Sequence, residues 1–218
     1  TARRSRSVPV QRRSAQTETV YQDIDSADTG EMVVQKIFRN ITDGLTDTLK
    51  LLDYAAIERA VDLIRAARRI VVYGFGNSAT VCRDIETRFL RFGMVVQAYS
   101  DAHQQATSAS LLTAKDVVIA VSHTGATPEL LDTVRTAREA GASVIVITSH
   151  VNSPLAKLGD VVLHGMGREV HYSSEAVSSR LIHMAITDAL YTVIAMRAPQ
   201  DYRRNLQKMR EVIAKKRT

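Results

Sequence analysis

Five short runs rich in Val and Ile constrain this chain more than any other feature: Ile70–Tyr73, Met94–Ala98, Val117–Val121, Val144–Ile147 and Val161–Leu163. Each is apolar at successive positions, so it presents an oily face on both sides, the pattern of a strand covered above and below in a parallel sheet. Helical periodicity lies between several of them, over Val81 to Arg91, Ala102 to Leu112, and Pro128 to Ala140 before Gly141. Strands that alternate with helices join through right-handed crossovers, which place helices on both faces of the sheet. The expected fold class is α/β: a three-layer α/β/α sandwich around a five-stranded parallel sheet, with flanking helices.

The flanks read differently. Residues 1–30 are rich in Arg, Ser, Thr, Gln and Asp without an apolar period, and are expected to form a largely flexible linker. Residues 31–67 carry two helical patterns: a stripe of Val34, Ile37, Phe38, Ile41, Leu45, Leu49 and Leu52, then Ile57 to Ala67 with Ile57, Val61 and Ile64 on one side. Neither helix is stable alone, so each must lie on the main body or on another subunit. The body spans residues 68–200 and closes with a long helix that Ser173 or Ser174 can cap and that ends before Pro199. Its apolar positions, among them Val177, Leu181, Met184, Ile186, Leu190, Val193 and Ile194, make a face too broad for a surface helix, which predicts burial between the sheet and a partner element. Residues 201–218 form a basic amphipathic helix with Tyr202, Leu206, Met209 and Ile213 as its stripe. Together these helices offer more apolar face than one small sheet can cover, so a homodimer or a higher homo-oligomer is expected.

Composition narrows the class. Of 218 residues, 45% are hydrophobic and 24% charged, which excludes wholesale disorder. No stretch approaches ~18 uninterrupted apolar residues, so no membrane partner is expected. The single cysteine, Cys82, excludes an intrachain disulfide and suits a reducing, cytoplasmic location, with a buried core thiol as its expected role. The chain opens on Thr1, with arginines where a secretion signal needs an apolar core, and is expected to be a fragment without such a signal. The net charge of +6 resides at the ends: five arginines within residues 1–13, and seven cations against Asp201 and Glu211 within 201–218. Residues 14–200 are left with a net charge of −4, which repels a polyanion. The basic ends are expected to be solvated tails, and the body is not a nucleic-acid surface.

Two loops carry chemistry. Tyr73-Gly74-Phe75-Gly76-Asn77-Ser78-Ala79 leaves the first strand and enters a helix, where glycines permit a tight turn and free N–H groups favour an anion. It can also be written G-x-G-x-x-A with Asp101 about 20 residues on, a weak dinucleotide fingerprint. Val121-Ser122-His123-Thr124-Gly125-Ala126-Thr127-Pro128-Glu129 follows the third strand; Thr127 suits an N-cap and Pro128 a first helical residue. Ser122, Thr124 and Thr127 would cluster three hydroxyls beside orphan amides, a donor set that suits a phosphate monoester without requiring a lysine. A dinucleotide reading leaves that hydroxyl loop unexplained.

The pair Gly74-x-Gly-x-Ser78 and Ser122-x-Thr-Gly-x-Thr127 resembles the sugar isomerase (SIS) domain. From about Glu31 to Lys216, some 85% of the chain, the sequence resembles the effector domain of RpiR-family bacterial transcriptional regulators. Ile70 to Gly93, with Arg88-Phe-Leu-Arg-Phe-Gly93, is similar to that family's first strand and helix, and Val118-Ile-Ala-Val-Ser-His-Thr-Gly125, Ser179-Arg180-Leu181 and Tyr202-Arg-Arg-Asn-Leu206 are similar to its HexR branch. The resemblance implies that Ser122, His123, Thr124 and Thr127 hold a phosphate and that Ser78 contacts the sugar. It implies a sensor of 2-keto-3-deoxy-6-phosphogluconate that controls DNA through a helix-turn-helix domain ahead of this region. The candidate ligand-binding set is Gly76, Asn77, Ser78, Ser122, His123, Thr124, Gly125, Thr127 and Glu175; no catalytic residue, metal ligand or cofactor is assigned.

The rival is a sugar-phosphate aldose–ketose isomerase, which needs a base to move a proton between adjacent carbons and a group to open the ring. Glu175, His171, His103 and His183 are the candidates. Glu175 falls in the first turn of the long helix, where the helix dipole alone stabilises a negative charge. His183, among Leu181, Met184 and Ile186, reads as a packed or interface histidine. Asp188 is expected to be a buried hydrogen-bonding acid or part of a dimer contact. The six histidines show no metal-ligand spacing with Cys82 or with an acid on one helical face.

Overall fold

The computed structural model describes residues 24–167 and 177–215. Five strands, β1 (Arg69–Tyr73), β2 (Val96–Tyr99), β3 (Asp116–Ser122), β4 (Ser143–Thr148) and β5 (Val161–His164), form one sheet in the order β2-β1-β3-β4-β5. Every neighbouring pair is parallel, as expected. Side chains alternate between two cores. Ile70, Val72, Val117, Ile119 and Val121 face a layer built by α2 (Tyr54–Ala66), α3 (Asn77–Phe89) and α6 (Val177–Arg197). Val71, Tyr73, Val118 and Ala120 face the opposite layer, α4 (Ala102–Ser110) and α5 (Pro128–Glu139). β3 is buried at all seven positions, which is why its sequence does not alternate with polar residues.

β1 sits between β2 and β3, so the crossover leaving β1 runs to one side of it and the return through β3 lies on the other. Such a reversal opens a crevice at the carboxyl ends of the two strands. The opposite end of β3 is locked by Asp116, 1% exposed, which accepts from Arg68 Nη2 at 2.8 Å and from the Thr113 amide at 2.9 Å. Burial opposes its ionised form, yet the hydrogen bonds from Arg68 and Thr113 outweigh that and hold the carboxyl below its usual range.

Several elements depart from the sequence expectation. β2 begins at Val96, not Met94. α3 begins at Asn77 rather than Val81, because its first turn is polar and faces the crevice, where no apolar period is needed. The largest difference is in α1 (Gly30–Leu51). Its buried residues are Asn40, Gly44 and Thr48, while Val34, Phe38, Leu45 and Leu49 of the apolar stripe are exposed. Gly44 explains the choice of face: a Cβ there would lie 2.6 Å from Ile182 Cδ1, so its absence lets α1 settle onto α6. Thr48 Oγ1 completes the contact by accepting from the Met166 amide at 2.9 Å.

α6 is covered by α1, α2 and α3, so the element expected to bury its second face is α1 of the same chain. Ser173 and Ser174, the expected caps, lie outside the described residues, as do residues 1–23 of the N-terminal linker. α7 (Pro199–Ala214) starts two residues before Asp201, with Pro199 in its first turn. It packs Tyr202 against Phe92 (centroids 5.5 Å apart) and accepts a hydrogen bond from Tyr191 Oη at 2.9 Å. Asp188 is ion-paired to Arg88 Nη1 at 2.6 Å, tying α6 to α3. Among the described residues, no single helix is long and apolar enough to cross a membrane.

Candidate functional site

The exit of β1 is shaped by two glycines. A Cβ at Gly74 would sit 2.7 Å from Cys82 Sγ and 3.0 Å from the Val121 carbonyl, so the turn reaches β3 only without one. Cys82 itself is buried, and burial pushes its thiol up, which fits the expected inert core role. Gly76 takes φ 52°, in the region that favours glycine, and precedes α3 without a side-chain cap. The helix therefore begins with Asn77 and Ser78 at the crevice, while the amides of Ser78 and Ala79 donate to the carbonyls of Phe75 and Gly76 at 3.0 Å each. Buried Gln105 of α4 donates through Nε2 to the carbonyls of Gly74 (3.3 Å) and Tyr99 (2.9 Å), holding this turn against the exit of β2.

The second loop follows β3. Ser122 Oγ accepts from the Gly125 amide at 3.0 Å and Thr124 Oγ1 from the Ala126 amide at 3.3 Å. A hydroxyl that accepts from its own loop keeps its proton to donate elsewhere. Two amides expected to be orphans are thus engaged internally, and the hydroxyls become the outward donors. Thr127 occupies the N-cap position of α5, but its side chain makes no capping hydrogen bond. The hydroxyl is thus not used in capping, and Thr127 lines the crevice, as expected of a member of the hydroxyl cluster. Gly125 adopts φ 60° and lies against Ser153, where a Cβ would come within 2.6 Å of Ser153 Cβ and closer still to Ser153 Oγ.

Between the loops lies a cleft of about 360 Å³. Gly76, Asn77 and Ser78 line one side, Ser122, His123, Thr124 and Thr127 the other. Gly125 shapes the turn without lining the cleft, and Glu175 lies outside the described residues, as does His171. Phe75, Val121 and Leu130 add an apolar wall that the motif reading missed, although all three stand within or beside the two loops. The described wall thus combines hydroxyl and amide donors with apolar surface, the donor set a phosphate needs and the packing surface a carbon chain needs.

Of the other candidates, His103 is exposed on α4 and does not line the cleft. Asp101, the possible ribose acid, caps α4 by accepting from the Gln104 amide at 2.9 Å. His183 is packed, 1% exposed and 3.1 Å from Ser149 Oγ. Burial, helped by nearby His123, lowers its pKa to about 3, so it is neutral at physiological pH. It belongs to a cluster not foreseen in the sequence. His150 Nδ1 contacts the His123 carbonyl at 2.9 Å, and His164 Nε2 the Ser149 carbonyl at 3.1 Å. These residues are far apart in sequence, and only the pairing of β3, β4 and β5 brings them together.

The SIS domain family model matches residues 63–193. A Thermotoga maritima protein described as an uncharacterized HTH-type transcriptional regulator is 36% identical over 200 residues, covering 92% of this chain and 71% of that protein. The Vibrio vulnificus NanR protein, solved in complex with ManNAc-6P, superposes with a TM-score of 0.78 at 28% identity over 83% of this chain and 69% of that one. The sugar isomerase domain of an RpiR transcription factor from Sphaerobacter thermophilus gives a TM-score of 0.76 at 26% identity, over 83% of this chain and 99% of that one.

Proposed function

The chain belongs to the SIS domain family, and we propose that it is the effector-sensing domain of an RpiR-family transcription regulator of sugar metabolism. It holds a phosphosugar in the β1–β3 cleft and relays occupancy to DNA binding. The observation that carries this reading is the cradle of Ser122, Thr124 and Thr127 hydroxyls facing the Ser78 end of α3 across one crevice. The similar Vibrio vulnificus NanR protein, solved in complex with ManNAc-6P, supports it. The effector assigned here is 2-keto-3-deoxy-6-phosphogluconate, to which HexR-like regulators respond. The sensor leaves its effector chemically intact, works in the cytoplasm, and reaches DNA through a helix-turn-helix domain. Residues 68–200 form the sensing core, 31–67 and 201–218 the flanking helices. Relay requires that the effector bind one arrangement of the protein better than the other.

NMR of the chain mixed with 2-keto-3-deoxy-6-phosphogluconate, ManNAc-6P and simple hexose phosphates tests this. The expected result is saturable shifts at Ser122 and Gly125, strongest with the keto acid, and no conversion of any compound. Turnover that disappears in Glu175→Gln would replace the sensor with an isomerase.

The sensor is a homodimer or larger. Phe38 is 69% exposed and Leu49 62% exposed on α1, with Met196, Val212 and Ile213 also bare near the C-terminus. Light scattering at micromolar concentration is expected to give at least twice the 24.1 kDa chain mass; a monomer would refute the assignment.

A further inference from the structure

The described lining of the cleft contains no Asp, Glu, Lys or Arg, and His123 is the one ionisable side chain in it. A phosphate monoester brings between one and two negative charges at neutral pH. Hydroxyls and amides stabilise that charge without neutralising it, so the imidazole is the described lining group able to supply a countercharge.

The surroundings of His123 determine the direction of the effect. His150, from the β4–β5 connection, meets its ring edge-on with centroids 5.2 Å apart. His164 at the end of β5 and His183 on α6 belong to the same cluster, joined through Ser149. His183 stays neutral down to about pH 3 because it is buried. A proton on His150 or His164 would repel one on His123, whereas an anion in the cleft attracts it.

We propose that anion binding here is proton-linked: His123 takes up one proton from solvent as a tetrahedral dianion enters the cleft, so affinity rises as pH falls from 8 towards 6. The inference rests on the cleft being the phosphate site. The bound form holds the proton more tightly than the empty form, and mass action therefore favours binding at lower pH. Protonation makes both ring nitrogens donors, adding a charge-assisted hydrogen bond to those of the hydroxyls. One linked proton changes affinity by at most about tenfold per pH unit.

Sulfate is the probe, because it remains a dianion throughout this range and any pH dependence belongs to the protein. Its affinity is measured from amide shifts at pH 6, 7 and 8 and constant ionic strength, alongside the titration of the imidazole resonances. The expected result is about a three- to tenfold gain in affinity from pH 8 to pH 6. The midpoint of His123 should rise when sulfate is present, and the slope should vanish in His123→Asn. His123→Gln serves if the Asn variant does not fold, and the wild-type imidazole titration needs neither. Sulfate that moves the Ser122 and Gly125 amides with no pH slope, or a slope that survives in either variant, overturns proton uptake alone. Sulfate that moves none of these amides overturns the cleft as the anion site, and the proposal with it.

Discussion

Alanine at both Ser122 and Thr124 is expected to weaken binding of 2-keto-3-deoxy-6-phosphogluconate by about a hundredfold or more. Each hydroxyl accepts from a loop amide, which leaves its proton to donate to a ligand. A hydrogen bond to a charged acceptor is worth roughly 1.5–3 kcal/mol, and two of them amount to about 3–6 kcal/mol. That range corresponds to a loss of about two to four orders of magnitude in affinity. The fold should tolerate the change: Ala126 is exposed and water replaces its partner, whereas the buried Gly125 amide loses one bond at a cost of about 1 kcal/mol. Calorimetry on a variant whose melting temperature is nearly normal checks this. Unchanged affinity would place the phosphate elsewhere.

Alanine at Gly125 is expected to destabilise the protein by about 3–5 kcal/mol, in the upper range for a point substitution. The left-handed backbone contributes about 1–2 kcal/mol of this. The remainder is steric, since the new Cβ would lie 2.6 Å from Ser153 Cβ and 3.2 Å from Thr148 Oγ1. Ser153 cannot easily retreat: its amide donates to the His150 carbonyl at 3.0 Å and its Oγ accepts from the Ala156 amide at 3.2 Å. Gly76 supplies the comparison, because it too has positive φ but a Cβ there would meet nothing within 4 Å. Gly76→Ala should therefore cost the backbone share alone, about 1–3 kcal/mol, because φ 52° with ψ −128° is a conformation open essentially to glycine. Urea unfolding decides the matter; a loss at Gly125→Ala of no more than about 1–2 kcal/mol would show that Ser153 yields and that the contact is unimportant.

What can be read from the sequence follows from where its signals are strong. The central strands β1, β3 and β4 are covered on both faces, so composition alone marks them, and the loops that β1 and β3 deliver to the crevice are punctuated by glycine and proline. Ser78, Ser122 and Thr127 stand out because hydroxyls gathered beside such turns form a donor set that core packing does not require. The start of α3 escapes the pattern because its first turn faces the cleft and carries no apolar period. The packing face of α1 misleads for the opposite reason. Its strongest apolar stripe faces outward, and its buried face is Asn40, Gly44 and Thr48, of which Gly44 meets Ile182 of α6 and Thr48 accepts from the Met166 amide. The histidine group has no local signature, since its members come from four separate segments joined by the sheet.

The seat of α1 on α6 has a mechanical consequence. Gly44 against Ile182 is a notch, and a helix held in a notch pivots more readily than it slides. From Gly44 to Gly30 the helix runs about 21 Å, so a rotation of about 5° at the notch swings its leading end by roughly 2 Å. A small tilt of α6 is thereby enlarged at the far tip of a stiff arm, and the chain ahead of Gly30 is attached to the part that travels furthest.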